Sequence, residues 1–381
     1  MTVSKPGASF ITRLTVVTAS FSLGILSAGC GGGSSLSTSP QTIGGLNTIT
    51  TLSSTIDTTN GDKDPRAIAI APPASSTFTA DHVSGHIQPN DVVVGNFSNS
   101  AGTMGAGTTI EDVTTGKPVT VFTDGAGLSG PSAFSFNTAN GYLWASNLGL
   151  ATSASNGGTQ ILSPASTQVD LLTDPTVQYG WGEVYNGDYG GRTCFFTANA
   201  STGQIVRINV TPGTNGSPAT YTYDVISGSI GSTLSGYGGS AVGPIGLAHG
   251  TDDTLYIANG YNNTIFAIPN STTATPSNTL SNVILVYTDT NATYLDQPAG
   301  LAINPFNNDL IIANQKRNTI VELNPATKGI VGVKTVDPAV VDTTTGANSA
   351  LFGIAVTNDG AGNLKVYFTD RNDNTVKVLS K

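Results

Sequence analysis

The sequence predicts an all-β chain, a six-bladed β-propeller of four-stranded blades whose ring is closed by the N-terminal strand. Three observations carry this. Six times a β-type run ends in Asn or Asp, turns, and is followed by a second β-type run opening with Ile or Val; the marks are Asn96, Asn147, Asn199, Asn259, Asn314 and Asp370. Their spacings of 51, 52, 60, 55 and 56 residues lie in the range of repeat architectures. Each unit divides into four strand-like runs, except that the last unit is one short. The segment Leu46-Asn47-Thr48-Ile49-Thr50-Thr51-Leu52 supplies the missing run from the other end of the chain.

In chain order, Lys5 and Arg13 precede an uncharged, mostly apolar run from Leu14 to Leu26, which ends in Ser27-Ala28-Gly29-Cys30. A basic start, a short apolar core and small residues before a cleavage point describe a secretory leader, and the run is too short to span a membrane. Leu26 to Cys30 resembles the bacterial lipobox. The resemblance implies that residues 1–29 are a lipoprotein signal peptide and that Cys30 is acylated as the first mature residue. Ser27 stands where Leu is commonest, and cleavage by the ordinary peptidase after Ala28 is the alternative. The implied location is the bacterial cell envelope, with membrane contact by the lipid anchor only; Gly31, where an Asp would mark retention, points to the outer membrane. Residues 30–45 are Gly/Ser/Thr-rich and read as a flexible tether. The propeller then occupies residues 46–381.

The first run of each unit opens on a Pro-x-Gly-Leu-Ala pattern, clearest at Pro244 to Ala248 and Pro298 to Ala302, looser at Pro65, Pro131 and Leu351. Pro suits a strand's first residue, and Gly permits close backbone approach. The second run ends at the mark: DVVVGN, GYLWASN, TCFFTAN, TLYIAN, DLIIAN and KVYFTD. The third runs are TTIEDV, TQILSP, QIVRINV, TIFAIP, TIVELN and TVKVLS, and the fourth VTVFTD, VDLLTD, TYTYDVI, NVILVYTD and GIVGVKTVD. Pairing the first strand with the last unit removes the edges that an open stack would expose. The marks enter turns, where Asn and Asp side chains bond amides two residues on, so they are expected to be structural.

Pro244 to Ile265 and Pro298 to Ile320 resemble the NHL repeat most closely, and the resemblance extends in weaker form over residues 46–381. It implies a six-bladed propeller and leaves function open, since this fold hosts binding proteins, lactonases, lyases and scaffolds. The basic residue before the last Ile of that repeat is replaced by Thr264, Thr319 and Thr375.

Only 10% of the residues are charged, against about 25% in ordinary globular proteins, so Ser, Thr and Asn wet the surface. A net charge of −9 with no Lys/Arg cluster excludes nucleic acid as a partner, because binding it depends on neutralising phosphates. No Ser-His-Asp order, phosphate loop or Cys/His zinc pattern appears.

The loops between second and third strands and those joining blades emerge on one rim. The long insertions 97–109, 148–159, 228–243 and 337–350 all fall there, which makes this loop-rich face a candidate binding face, with Tyr237 as an exposed aromatic. Glu183 is the most anomalous residue: it occupies the column of Ile68, Phe134, Leu247, Leu301 and Ile354. A carboxylate near the channel needs a partner. His249, two columns on, is placed to face it, with Tyr185 and Asp188 nearby. These groups offer either a base or metal-ligand pair, or a local hydrogen-bonded substitution. His82 and His86 lack the helix their spacing would need, and Cys194 in Cys194-Phe195-Phe196 reads as a buried thiol. The expected function is a lipid-anchored binding or scaffold module for a protein, peptide or glycan, with no cofactor and no metal. The alternative is a metal-dependent hydrolase or lyase resembling gluconolactonase-type propellers, which would hold Ca²⁺ in the channel.

Overall fold

Six four-stranded antiparallel sheets form the ring in a computed structural model that describes residues 41–117, 119–125, 127–149, 157–177, 179–214, 217–233, 243–342 and 346–381. The signal peptide, Cys30, residues 30–40 of the tether and Tyr237 lie outside the described residues. Blades 1 to 5 span residues 63–124, 131–172, 180–225, 244–288 and 298–335, with strands in chain order from the axis outward. Blade 6 takes Leu351–Asn358, Leu364–Asp370 and Thr375–Ser380 from the end of the chain and Thr48–Ser54 as its outer strand. That strand runs antiparallel to the last one, from Thr48 opposite Ser380 to Ser54 opposite Thr375, with an irregularity between Thr51 and Ser53.

The tether stops short of where its composition places it. Residues 41–45 are docked against blades 5 and 6, because two apolar residues anchor them: Ile43 is fully buried, and Leu46 nearly so. The Ile43 amide donates to Glu322 Oε2 (2.7 Å), whose other oxygen accepts from Asn304 (2.9 Å) and Asn307 (3.2 Å). Gln41 Oε1 accepts from the Leu364 amide at 2.8 Å. A Gly-rich stretch therefore ends in a latch, which its lone Ile conceals.

The glycine of the inner-strand pattern sets how closely blades approach at the axis. A Cβ on Gly246 would lie 2.1 Å from the Ala299 carbonyl oxygen; on Gly300, 2.4 Å from that of Phe352; on Gly353, 2.1 Å from that of Arg66. Each contact is with backbone, which cannot rotate away. Gly246→Ala is expected to lower stability by about 1–3 kcal/mol by forcing two blades apart, read as a fall in denaturation midpoint. An unchanged midpoint would mean that the blades slide without cost.

Apolar clusters fill the gaps between neighbouring blades, as where Ala248, Ala258 and Ile265 of blade 4 meet Leu301, Ile312 and Val321 of blade 5. Trp144 of blade 2 stacks on Phe195 of blade 3, with centroids 3.6 Å apart and planes 8° from parallel. No helix among the described residues is long and apolar enough to cross a membrane.

The marks are buried at the ends of second strands. The anticipated bond to the amide two residues on is made by Asn259 to Tyr261 (2.9 Å) and Asp370 to Asn372 (3.0 Å). Several carboxamides reach further and donate to the preceding inter-blade loop: Asn96 to Thr55 O (2.6 Å), Asn199 to Thr176 O (2.7 Å), Asn259 to Ile230 O (2.6 Å) and Asn314 to Tyr294 O (2.7 Å). The side chain that starts one turn thus ties down another, which explains why an amide, able to donate, recurs.

Candidate functional site

The inner strands line the axis in tiers. Glu183, on Gly180–Tyr185, lines the channel, but its carboxylate turns into the interface with blade 2. Its Oε2 accepts from the hydroxyls of Ser146 (2.6 Å) and Thr159 (3.4 Å). Ser146 and its cross-strand partner Thr159 occupy the columns held by Gly95 and Ile110, Ala198 and Ile205, Ala258 and Ile265, Ala313 and Ile320 in other blades. Three positions of one packing cell have therefore changed together. Oε1 has no hydrogen-bond partner; the nearby Thr197 hydroxyl donates to the Gly182 carbonyl instead. Burial raises the Glu183 carboxyl to about 8, against the Ser146 and Thr159 hydroxyls.

His249 ends the inner strand of blade 4, Pro244–His249. It shares the lining of a channel-mouth hollow of roughly 320 Å³ with Glu183, but the two take their bonds elsewhere. His249 Nε2 lies 3.0 Å from Asp253 Oδ1. That oxygen also accepts from the Thr272 amide (3.0 Å) and hydroxyl (2.6 Å). Burial holds His249 below its ordinary value, against the pull of Asp253. Burial opposes ionisation of Asp253, yet the Thr272 hydroxyl and amide keep it below the usual carboxylate range. An ionised Asp253 beside a neutral imidazole places the proton on Nε2 and leaves Nδ1 its lone pair. The ring stacks on Phe196 (5.6 Å, 15°) and meets Tyr189 edge-on (6.4 Å).

A second hollow of roughly 400 Å³ adjoins, lined by Phe136, Tyr185, Asn186, Tyr189, His249 and Thr251 among others. Tyr185 is buried, and burial with Asp188 alongside raises its hydroxyl above the ordinary value. Tyr189 is 42% exposed on the loop between first and second strands. Both hollows open at the end opposite the long insertions. The pairing of His249 with Asp253 had a local signal, the turn Gly250-Thr251-Asp252-Asp253, whereas Tyr189 had none beyond a Gly-rich loop.

The other candidates resolve into local contacts. His86 Nδ1 lies 2.7 Å from Asp81, on an exposed loop. Cys194 is a free, buried thiol, pushed by burial up to about 12. The channel around Glu183 does not fit a divalent cation: its oxygen neighbours are hydroxyls, and no second carboxylate lines either channel hollow among the described residues. One acidic group, Asp337, Asp370 and Asp373, does converge at the other end, and Lys377 Nζ already bonds two of its members, Asp370 (2.6 Å) and Asp373 (2.5 Å).

No family model and no curated protein matches the chain. In fold it is similar to an auxiliary nutrient binding protein from Bacteroides thetaiotaomicron, at 12% identity and TM-score 0.52, over 87% of this chain and 75% of that one. It also matches virginiamycin B lyase from Staphylococcus aureus at 14% identity and TM-score 0.48, over 88% and 99% of the two chains. A propeller from a nidogen–laminin complex matches at 9% identity and TM-score 0.46, over 72% and 81%. At such identities the likeness shows the fold alone.

Proposed function

We propose that this protein is a divergent NHL-type propeller, exported and anchored to the cell envelope through acylated Cys30, that binds a neutral glycan at the channel mouth. The observation that carries the reading is the hollow of roughly 400 Å³ walled by Phe136, Tyr185, Tyr189 and His249. Aromatic faces take the apolar faces of sugar rings, while Asn186, Thr251 and the backbone offer directional bonds to hydroxyls. No Lys or Arg lines it, so nothing there selects an anion. This places the ligand at the end opposite the loop-rich rim, parts of whose insertions lie outside the described residues. A lipid on Cys30 would hold the domain at the membrane, with residues 31–40 as spacer.

Tyr189→Ala is expected to weaken binding of a glycan hit from an array by at least tenfold with little change in melting temperature, since the ring is half exposed. Calorimetric titration reads the first and thermal unfolding the second. An array without neutral-glycan binders, or an affinity indifferent to Tyr189, sinks the reading. Labelling by a palmitate analogue, expected to vanish in Cys30→Ser, tests the anchor separately.

A hydrolytic or eliminating activity is the second reading, favoured by the His249–Asp253 pair, which presents a neutral, oriented imidazole to the same hollow. His249→Gln would then abolish turnover even at saturating glycan, whereas loss of binding alone would be overcome by raising the glycan concentration.

A further inference from the structure

The upper half of the channel, toward the long insertions, holds a separate cavity of about 70 Å³, lined by Arg66, Ser132, Trp181 and Glu183 among apolar residues. Liquid water occupies ~30 Å³ per molecule, so the space suits one small solute. Three of the lining side chains carry a buried polar atom without a hydrogen-bond partner: Arg66 Nε, Trp181 Nε1 and Glu183 Oε1. All three residues are more than nine-tenths buried. Native proteins seldom leave such groups unpaired, and several orphans on one cavity mark an occupant.

Charge identifies the occupant. Arg66 Nη2 lies 3.2 Å from Asp64 Oδ2, while Asp64 Oδ1 is taken by Arg371 Nε. Two guanidinium groups therefore share one carboxylate, and the cluster keeps one uncompensated positive charge. The Arg66 guanidinium also sits over the rings of Phe97 (3.8 Å) and Phe352 (5.0 Å), shut from water. Two N–H donors, one of them on a buried cation, call for an acceptor that carries negative charge. Glu183 does not oppose it near neutral pH, because burial keeps that carboxyl protonated up to about 8. Its O–H then becomes a third donor. The hydroxyls of Ser146 and Thr159 face Glu183 on the blade 2 side, and Thr197 lies beside it in its own blade.

We propose that this cavity is a binding site for a small monovalent anion, a halide or a one-carbon carboxylate, held by Arg66 Nε–H and Trp181 Nε1–H. The site is independent of the glycan hollow, which opens at the other end of the channel. Its role is to neutralise the axial guanidinium where six strands converge.

The test follows the indole N–H resonances of ¹⁵N-labelled protein, prepared in sulfate buffer and titrated with chloride or formate at constant ionic strength. The chain has 2 tryptophans, so Trp144, stacked between blades, is an internal control. The expected result is a saturable shift of the Trp181 signal with one or both anions, Trp144 unmoved, and at least tenfold weaker binding in Arg66→Gln. A response to chloride alone identifies a halide site and one to formate alone a carboxylate site. Should Arg66→Gln unfold, Arg66→Lys, which keeps the charge without the Nε–H, is expected to show the same weakening. Trp181 indifferent to both anions, or shifting equally in the Arg66 variants, overturns the proposal.

Discussion

A chain beginning after Ser54 is expected to lose most of its stability and to aggregate. Removing residues 41–54 strips blade 6 of its outer strand and exposes the whole edge of Thr375–Ser380. It also removes Ile43 and Leu46 from a core shared with Leu351, Leu364 and Phe368. Two fully buried side chains of this size contribute ~1.5–3 kcal/mol each. Glu322, fully buried, would keep its Asn304 and Asn307 bonds but lose the Ile43 amide, and a hydrogen bond to a charged group contributes ~1.5–3 kcal/mol. The sum is comparable with the ~5–15 kcal/mol that holds a typical domain together. Calorimetry and size-exclusion chromatography read the effect, and a peptide of residues 41–54 added in trans is expected to restore part of it by pairing with the open edge. A truncated chain that melts where the full one does would show that the closing strand is dispensable.

The second large effect concerns pH. Glu183 titrates near 8 in the folded chain, from burial, against about 4.5 unfolded. Glu111 is raised likewise to about 8, by burial and then by Asp57 and Asp62. Between those two pH values the folded chain holds protons that the unfolded chain has released. The stability these two carboxyls contribute therefore falls as pH rises through that window and levels off above about 8, while His249, held low by burial, acts in the opposite sense below its ordinary value. With 1.36 kcal/mol per pKa unit, each group accounts for a few kcal/mol of slope. Glu183→Gln keeps a hydrogen-bonding side chain but binds no proton, so it is expected to make the slope shallower. Denaturation midpoints across the window give the answer. A wild-type profile that is flat or rising, with the Gln variant parallel to it, contradicts the burial argument. The triple variant Ser146→Ala, Thr159→Ile, Glu183→Leu restores the apolar cell found in four of the other five blades, blade 6 having Thr369 in the Ser146 column. It is expected to be more stable than the parent at alkaline pH, by ~1–4 kcal/mol.

Much of this architecture is written in single residues at fixed intervals. The marks from Asn96 to Asp370 count the blades because each second strand ends in a turn that an Asn or Asp side chain can hold; in four of them the carboxamide also donates to the preceding inter-blade loop, whereas Asp370 only accepts, from the Asn372 and Asp373 amides and Lys377. The inner-strand Gly recurs in four blades, as Gly182, Gly246, Gly300 and Gly353, because each of these meets its neighbour's carbonyl closely, whereas blades 1 and 2 carry Ala67 and Ala133 in that column. Ile43 and Leu46 anchor the segment that leads into the closing strand, and this the pattern did not announce: nothing in a Gly-rich stretch says that one Ile finds a pocket, and its partner Glu322 lies far along the chain. The polar cell was half visible. Glu183 broke its column plainly, whereas Ser146 and Thr159 broke theirs in another blade, where a hydroxyl on a strand attracts no notice.

Periodicity alone determined the number of blades, the order of strands and the terminal strand exchange, because these follow from local pattern repeated along the chain. Tertiary structure decided which way Glu183 points, what His249 bonds, and which end of the channel is hollow. Those outcomes depend on contacts between blades, where a side chain chooses among neighbours distant in sequence by burial and hydrogen bonding. Identical strands can present the same residue to a cavity, a core or a partner's hydroxyl, and only the packed ring selects among them.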